Sequence, residues 1–388
     1  MSSGNRVQWL FKPTTFGVVA SGTYDELRYV DDDVKLEYET SESDEVRSDG
    51  NVASIDVVGM KAMGPIRHKL SYGTYDKILE PLFRADSTWG GTATLNTTVS
   101  ASSVDNSFND SANGFTSPAF DPGKLVKGAG WTNGANNQWF LIVTRPTNGK
   151  ITVIGANALV TESALAGKTV AVMDSISNGI TQVPFTIERR YNDLATTLMR
   201  FDDMCVAGFD FEFDAKSYMA GKFDFDGKTG GLQTSSSASG ITSANTNPPF
   251  KGVNNVPWFL VNNVALTIMR ANFRIGNTLV PTEEVNTMGP TGQGVGQFRV
   301  RGGFAAYFNA TNKTNLALFE ARTTVPIAVA LRDDNGKGYG LWVPSARLTK
   351  GKSVGVGTDK NVIADFEFDT YVGASGSSSL TARLSRVP

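Results

Sequence analysis

Val34-Lys35-Leu36-Glu37-Tyr38-Glu39 alternates apolar and polar residues strictly, the period of a half-buried β-strand. It opens a unit that runs to Arg84. An acidic loop follows, Ser41-Glu42-Ser43-Asp44-Glu45-Val46-Arg47-Ser48-Asp49-Gly50, and then two more predicted strands, Ile55-Asp56-Val57-Val58 and Ile66-Arg67-His68-Lys69-Leu70. A short helix closes the unit: Tyr75, Ile78, Leu79 and Leu82 share one helical face, Thr74 stands where an N-cap belongs, and Pro81 limits the length.

The same order returns once, from Val264 to Arg322. Val264-Ala265-Leu266-Thr267-Ile268-Met269-Arg270 reads as its opening strand, Pro281 to Gly296 as a long loop, and Gln297-Phe298-Arg299-Val300 and Phe304-Ala305-Ala306-Tyr307-Phe308 as its next strands. A helix over Asn312 to Glu320 follows. Each helix is succeeded by a strand pair: Phe185-Thr186-Ile187-Glu188 and Val206 to Asp214, then Val325 to Leu331 and Gly340-Leu341-Trp342-Val343. Lys222-Phe223-Asp224-Phe225-Asp226 closes the first copy as Asp365-Phe366-Glu367-Phe368-Asp369 closes the second. Element order, more than residue identity, therefore predicts a mainly β chain with two similar units, each flanked by a short helix.

Between the first helix and Phe185 the composition shifts. Asp86 to Asn113 is rich in Ser, Thr, Asn and Gly and promises little core; Leu125-Val126-Lys127-Gly128, Trp139-Phe140-Leu141-Ile142-Val143, Lys150-Ile151-Thr152-Val153-Ile154 and Thr169-Val170-Ala171-Val172 then read as strands of a small inserted β domain. The expected organisation is residues 1–85 and 184–247 for the first unit, 86–183 for the insertion and 248–388 for the second unit. Gly230 to Asn247 is read as a linker. Trp9 and Phe11 are expected to anchor an amino-terminal arm.

At 388 residues the chain has room for two to three domains of about 150 residues, and its formal charge of −2 lacks the basic surplus of a phosphate-gripping protein. No apolar run approaches the roughly 18 residues of a spanning helix. No leader is visible in Met1 to Phe16, so a chain made in the cytoplasm is expected.

Catalytic patterns are tested and rejected. Gly-Lys-Thr at Gly167 and Gly227 lacks the glycine five positions earlier that a phosphate loop needs, since Glu162 and Lys222 stand there. Asp333-Asp334-Asn335-Gly336 reads as a hairpin turn. The single histidine, His68, lies between Arg67 and Lys69, which predicts a surface or interface position. The single cysteine, Cys205, reads as a small buried hydrophobe. No transition-metal site, no cofactor and no enzyme activity are expected.

Phe209-Asp210-Phe211-Glu212-Phe213-Asp214, Phe223-Asp224-Phe225-Asp226 and Asp365-Phe366-Glu367-Phe368-Asp369 would each bury an aromatic face and present carboxylates on the other. A solvated acidic face is one reading; a hard-cation site is another. A third is a wall cleared of lysine and arginine, to which a polyanion would not stick.

This order of elements resembles the tail tube proteins of long-tailed bacteriophages. The likeness rests on the acidic loop with Asp44-Glu45-Val46-Arg47, on Tyr72-Gly73-Thr74-Tyr75-Asp76-Lys77-Ile78-Leu79, on Phe185-Thr186-Ile187-Glu188-Arg189-Arg190-Tyr191 with Val206-Ala207-Gly208-Phe209, and on an insertion like that from Leu125 to Glu162. It implies that the two units are tail-tube β-barrel or sandwich units, in a structural virion protein, assembled in the host cytoplasm, whose rings stack into the conduit for genome ejection.

The family's usual ring has about six tube domains, so two units per chain would give a trimer with pseudo-sixfold symmetry. The resemblance further implies a tape measure protein in the lumen, tail terminator and distal tail proteins at the ends, genomic DNA passing without specific binding, and no membrane. On this reading Asp210, Glu212, Asp214, Asp224, Asp226, Asp365, Glu367 and Asp369 are lumen-lining candidates. Glu42, Asp44, Glu45, Arg47, Glu283 and Glu284 are candidates for contacts between rings. The competing reading is a β-rich carbohydrate-binding or adhesin-like surface protein, suggested by Trp131, Trp139 and Trp258 among Asn/Gly-rich loops.

Overall fold

In the structure, a computed structural model, residues 4–85, 88–194, 196–354, 361–372 and 380–388 are described. The first stretch comprises β1 (Val7–Pro13), β2 (Gly22–Leu27), β3 (Asp31–Asp32), β4 (Lys35–Glu42), β5 (Ile55–Lys69) and helix α1 (Asp76–Phe83). Next come β6 (Ala93–Asn96), β7 (Val99–Ser102), β8 (Ser107–Asp110), β9 (Leu125–Ala129), β10 (Trp139–Thr147), β11 (Lys150–Gly155) and β12 (Thr169–Val172). β13 (Asp174–Ser177), β14 (Phe185–Tyr191), β15 (Leu198–Asp214), β16 (Ala220–Gly227), β17 (Thr229–Gln233) and β18 (Ala238–Thr242) follow. The last stretch holds β19 (Trp258–Val261), β20 (Val264–Ala265), β21 (Arg270–Thr282), β22 (Gly292–Tyr307), α2 (Ala310–Glu320), β23 (Thr324–Arg332), β24 (Gly338–Val354), β25 (Ile363–Thr370) and β26 (Arg383–Val387).

Nineteen strands form one connected sheet, and β6 to β12 form a separate sheet of seven. Within the large sheet, β4, β5, β16 and β15 pair antiparallel in that order. β15 then pairs with β21, and β22, β25 and β24 continue the row. The two halves of this row repeat one connectivity. β14 joins β15 as β23 joins β24, and β17 joins β15 as β26 joins β24. The helices occupy corresponding places, α1 between β5 and β14 and α2 between β22 and β23.

β15 and β24 belong to two layers each. The first part of β15 pairs with β14 and β17 and its last part with β16 and β21; Asp203, in left-handed backbone at φ 58, marks the turn between them. Such strands fold the sheet over a core, in which Phe209, Phe211, Phe213, Phe223, Phe225, Phe273, Phe304, Phe366 and Phe368 meet Ile327, Val329 and Leu331. Full burial is worth roughly 1.5–3 kcal/mol for each large apolar side chain, so this phenylalanine layer dominates the cohesion of the two halves. Helix α1 contributes Ile78, Leu79, Leu82 and Phe83 to it.

The seven-stranded sheet has its own core of Phe108, Phe115, Phe120, Phe140 and Ile151 among others. A further cluster joins Leu125, Trp139 and Leu141 to Trp258, Leu260, Ala328 and Ala330. Because residues alternate faces along a strand, Ala328 and Ala330 of β23 point away from the phenylalanine core. The seven-stranded sheet thus docks on the side of the molecule opposite the carboxylate rows. The approach is close: a Cβ on Gly340 would lie 2.6 Å from Leu125, and one on Gly123 would overlap Trp342 at 2.0 Å.

Several expectations are corrected. Ile55–Val58 and Ile66–Lys69 belong to one strand, β5, which continues through Gly64 and Pro65, with Leu70 just beyond its end; Gly64 has φ 148, and a Cβ there would meet the Asp33 carbonyl at 2.2 Å. Gln297–Val300 and Phe304–Phe308 likewise fall on or at the end of the single β22. The second copy's first long strand begins at Arg270, Val264 and Ala265 being a short hairpin partner of β19. Thr74 does not cap α1: the N-cap is Tyr75, without a side-chain bond, while Thr74 Oγ1 donates to Asn245 at 2.7 Å. Residues 88–113, expected to add little core, supply β6, β7 and β8 with Val99, Ala101 and Phe108 buried. The predicted linker carries β17 and β18, and β18 pairs parallel with β2. Polar composition misled because a few apolar residues, Val99, Ala101 and Phe108, suffice to build core in the first segment, while backbone pairing holds β17 and β18 in the second.

Candidate functional site

Alternation and burial decide which way the carboxylates face. Phe209, Phe211 and Phe213 on β15, Phe223 and Phe225 on β16, and Phe366 and Phe368 on β25 are all buried, so the acidic residues between them must lie on the opposite face; a one-residue slip would invert the whole set. Cross-strand partners then place the eight acids on one continuous surface. Asp210 stands opposite Arg274, Arg274 opposite Arg301, Arg301 opposite Asp369 and Asp369 opposite Arg347. Glu212 leads through Asn272, Gly303 and Glu367 to Lys350, and Asp214 through Arg270, Ala305 and Asp365 to Lys352. Asp224 and Asp226 lie on β16, on the far side of β15.

These partners overturn the expectation of a wall cleared of basic residues. Arg274 contacts Asp210 at 3.1 Å and Asp224 at 3.5 Å, and Lys222 contacts the same two acids at 3.0 and 3.3 Å. Asp369 receives Arg299 at 2.9 Å and Arg301 at 3.3 Å; Glu367 receives Lys350 at 2.8 Å, and Asp365 faces Arg270 at 3.8 Å. The face is a ladder of alternating acidic and basic rows. The basic rows were missed because each strand was read alone. The alternation Gln297-Phe298-Arg299-Val300-Arg301 carries the same period-two signal, but only the pairing says which rows become neighbours.

The environments differ along the face. Burial pulls Lys222 down, yet its hydrogen bond to Asp210 and the charges of Asp224 and Asp210 outweigh this and hold it above its ordinary value. Burial pushes Asp226 above the usual carboxylate range, partly offset by Lys61. Among the described residues, no group of three or more His, Cys, Asp or Glu side chains is placed to hold a metal ion.

The second candidate set lies on two hairpins. Glu42 ends β4, and Asp44, Glu45 and Arg47 are in the β4–β5 connection. Arg47 pairs with Asp49 at 2.8 Å, a hydrogen bond that holds the Asp49 carboxyl well below the usual range. Glu283 and Glu284 are in the β21–β22 connection, where Thr287 Oγ1 donates to the Glu284 carbonyl at 2.7 Å. That connection lies against the first hairpin: Met60 N donates to the Met288 carbonyl at 2.6 Å, and Glu39, Lys61, Asp226, Glu283 and Glu284 line one groove. The structure therefore brings Glu283 and Glu284 to the flank of β5, while Val46 and Val285 stand fully exposed in the two connections.

His68 is not on the surface. It is 2% exposed, with ring centroids 4.1 Å from Tyr75 and 4.6 Å from Phe223, because its neighbours Arg67 and Lys69 take the charged face and leave it the core face. Cys205 is buried, and burial pushes its thiol up to about 11. Trp131, Trp139 and Trp258 are also buried, at 4%, 6% and 5% exposure. The aromatic platform that suggested glycan binding is thus committed to packing. No helix among the described residues is long and apolar enough to cross a membrane.

A sequence-family model described as phage tail tube protein matches residues 4–370. No curated protein matches the chain.

Proposed function

The chain belongs to the phage tail tube protein family and is a structural protein of the virion tail; from that premise we propose that its copies close into rings that stack into the conduit for genome ejection. The carrying observation is the family match across nearly the whole chain. The repeated connectivity, with its row of antiparallel strands, supports a ring of three chains with pseudo-sixfold symmetry. Three such rows exceed the roughly 16 to 18 strands that enclose a simple aqueous channel.

The ladder of charges faces the lumen in this reading. Asp210, Glu212, Asp214, Asp224, Asp226, Asp365, Glu367 and Asp369 then act by engaging the basic rows. A wall cation already paired with a carboxylate neutralises fewer phosphates, so fewer of the DNA's condensed counterions are released and the polyanion gains little by binding. The inserted sheet, docked on the opposite side, projects outward. Glu42, Asp44, Glu45, Arg47, Glu283 and Glu284 reach the neighbouring ring, where the exposed Val46 and Val285 gain cover. A tape measure protein in the lumen and terminator and distal proteins at the ends complete the tail.

Negative-stain electron microscopy with native mass spectrometry on the same sample tests the ring. Hollow tubes or rings of three chains are expected. Six chains per ring would keep the tube and overturn the trimer, and a chain monomeric under all conditions, a tail initiator included, would overturn both.

A further inference from the structure

The two halves of the long sheet meet at β15 and β21, and among the described residues this internal joint has two unfilled counterparts in the same molecule. Matching Phe223 and Phe225 to Phe366 and Phe368 matches β16 to β25. The registers then carry β5 onto β22, β4 onto β21 and β15 onto β24. The match holds in detail: β15 and β24 each have a register irregularity at the same place against their partners, between Val206 and Gly208 and between Leu348 and Lys350. Arg84 and Arg322 both follow their helices in left-handed backbone, at φ 50 and φ 56. β21 is covered by β15, but among the described residues β4 has no strand on its outer side. β15 is covered by β21, but among the described residues β24 has no strand beyond Arg347 on its outer side.

We propose that the end of β24 in one copy pairs antiparallel with β4 of the next copy in the register of the β15–β21 joint, with Arg322 clamping it; this rests on the ring reading above. Gly208 opposite Gly276 becomes Lys350 opposite Glu37 of the next copy, and Phe209 opposite Ile275 becomes Gly351 opposite Leu36. The charges suit: the β24 edge offers Lys350 and Lys352 and the β4 edge Glu37 and Glu39. One like-signed pair arises, Lys352 opposite Lys35, and Lys35 is already engaged by Glu37 at 2.8 Å.

The clamp is equally specific. In the internal joint Arg84 is 1% exposed and donates to the Gly296 carbonyl at 2.7 Å and the Thr278 carbonyl at 2.9 Å. The matching acceptors are the carbonyls of Val58 and Glu39. Arg322, the counterpart of Arg84, is exposed, and its guanidinium has no partner among the described residues. Asn277 is buried in the internal joint, bonding the Leu82 carbonyl at 2.6 Å, whereas its counterpart Tyr38 is 58% exposed, as is Val58. Helix α1 buries its face beside β21, while α2 keeps Leu316, Leu318 and Phe319 only partly buried. Arg322 and Tyr38 on the open edges thus match Arg84 and Asn277, which are buried inside the chain. A head-to-tail joint of this kind closes into a ring when its rotation allows.

The test is a pair of cysteines, E37C with K350C, oxidised mildly in the assembled full chain, with T40C and K350C as a shifted control. The matched pair is expected to cross-link about tenfold or more over the control and to give a closed covalent ring. Rings or tubes that form without preferential cross-linking overturn the register and leave the tube reading standing; a wild-type chain that never forms rings sinks the reading beneath it. Should the matched pair fail to assemble where wild type does, E37K with K350E reads the same contact: rings are expected from the swap and not from K350E alone, and equal behaviour of the two overturns the proposal. R322A is expected to lower ring yield about tenfold or more, the factor a charged hydrogen bond carries, with the monomer's melting temperature unchanged; wild-type ring yield removes the clamp.

Discussion

His68 stacks with Phe209 and Phe223 and lies against the tilted ring of Tyr75, and burial, opposed by the Ile66 backbone, pulls its pKa from 6.5 to about 3. The neutral ring therefore contributes its full stability above pH 6.5, and that contribution is lost as pH falls toward 3. In that window the loss approaches roughly 1.4 kcal/mol per pH unit. Urea unfolding at pH 7 and pH 5 is expected to show wild type losing about 2 kcal/mol more than H68L. Equal losses would overturn the assignment. The flanking Arg67 and Lys69 mark a charged face, and the same alternation puts His68 on the other side of it.

At the scale of elements, the β4–β5 hairpin is the clearest separation of folding from function. Its ladder ends at Glu42 opposite Ile55, and the connection beyond, residues 43 to 54, contains no buried residue. Shortening a loop changes closure entropy by only about 0.6 kcal/mol per halving. Deleting Ser43 to Ser48 is expected to leave the circular-dichroism melt of the monomer nearly unchanged and to abolish tubes in electron micrographs; tubes of normal length would overturn the inter-ring role. The hairpin itself was legible from the alternation at Val34–Glu39. The continuity of β5 and β22 was not, because Gly64-Pro65 and Gly302-Gly303 look like breaks until a neighbouring strand is seen to bridge them.

For the molecule as a whole, the charged face makes a quantitative demand. Asp369 engages Arg299 and Arg301, and both pairs are half exposed, so their contribution to folding is small. D369N is therefore expected to fold normally while releasing two cations toward a passing polyanion. Duplex DNA binding to assembled rings, measured by fluorescence anisotropy against salt, should strengthen, with the logarithmic salt slope steeper by about 1 to 2. An unchanged slope would show that these residues do not meet the DNA.

The β class, the repeated order of elements, the burial of the phenylalanines and hence the shared orientation of the acids between them are all legible in the residue pattern alone. These properties follow from periodicity along a single strand, which is local. Only the pairing of strands shows that Arg274, Arg299 and Arg301 stand between the acidic rows, that His68, Trp131, Trp139 and Trp258 are core residues, and that, among the described residues, β4 and the end of β24 are open edges. Each depends on which strand lies beside which, and hydrogen-bonded neighbours such as Asp210 and Arg274 are separated by tens of residues with nothing in either segment to name the other.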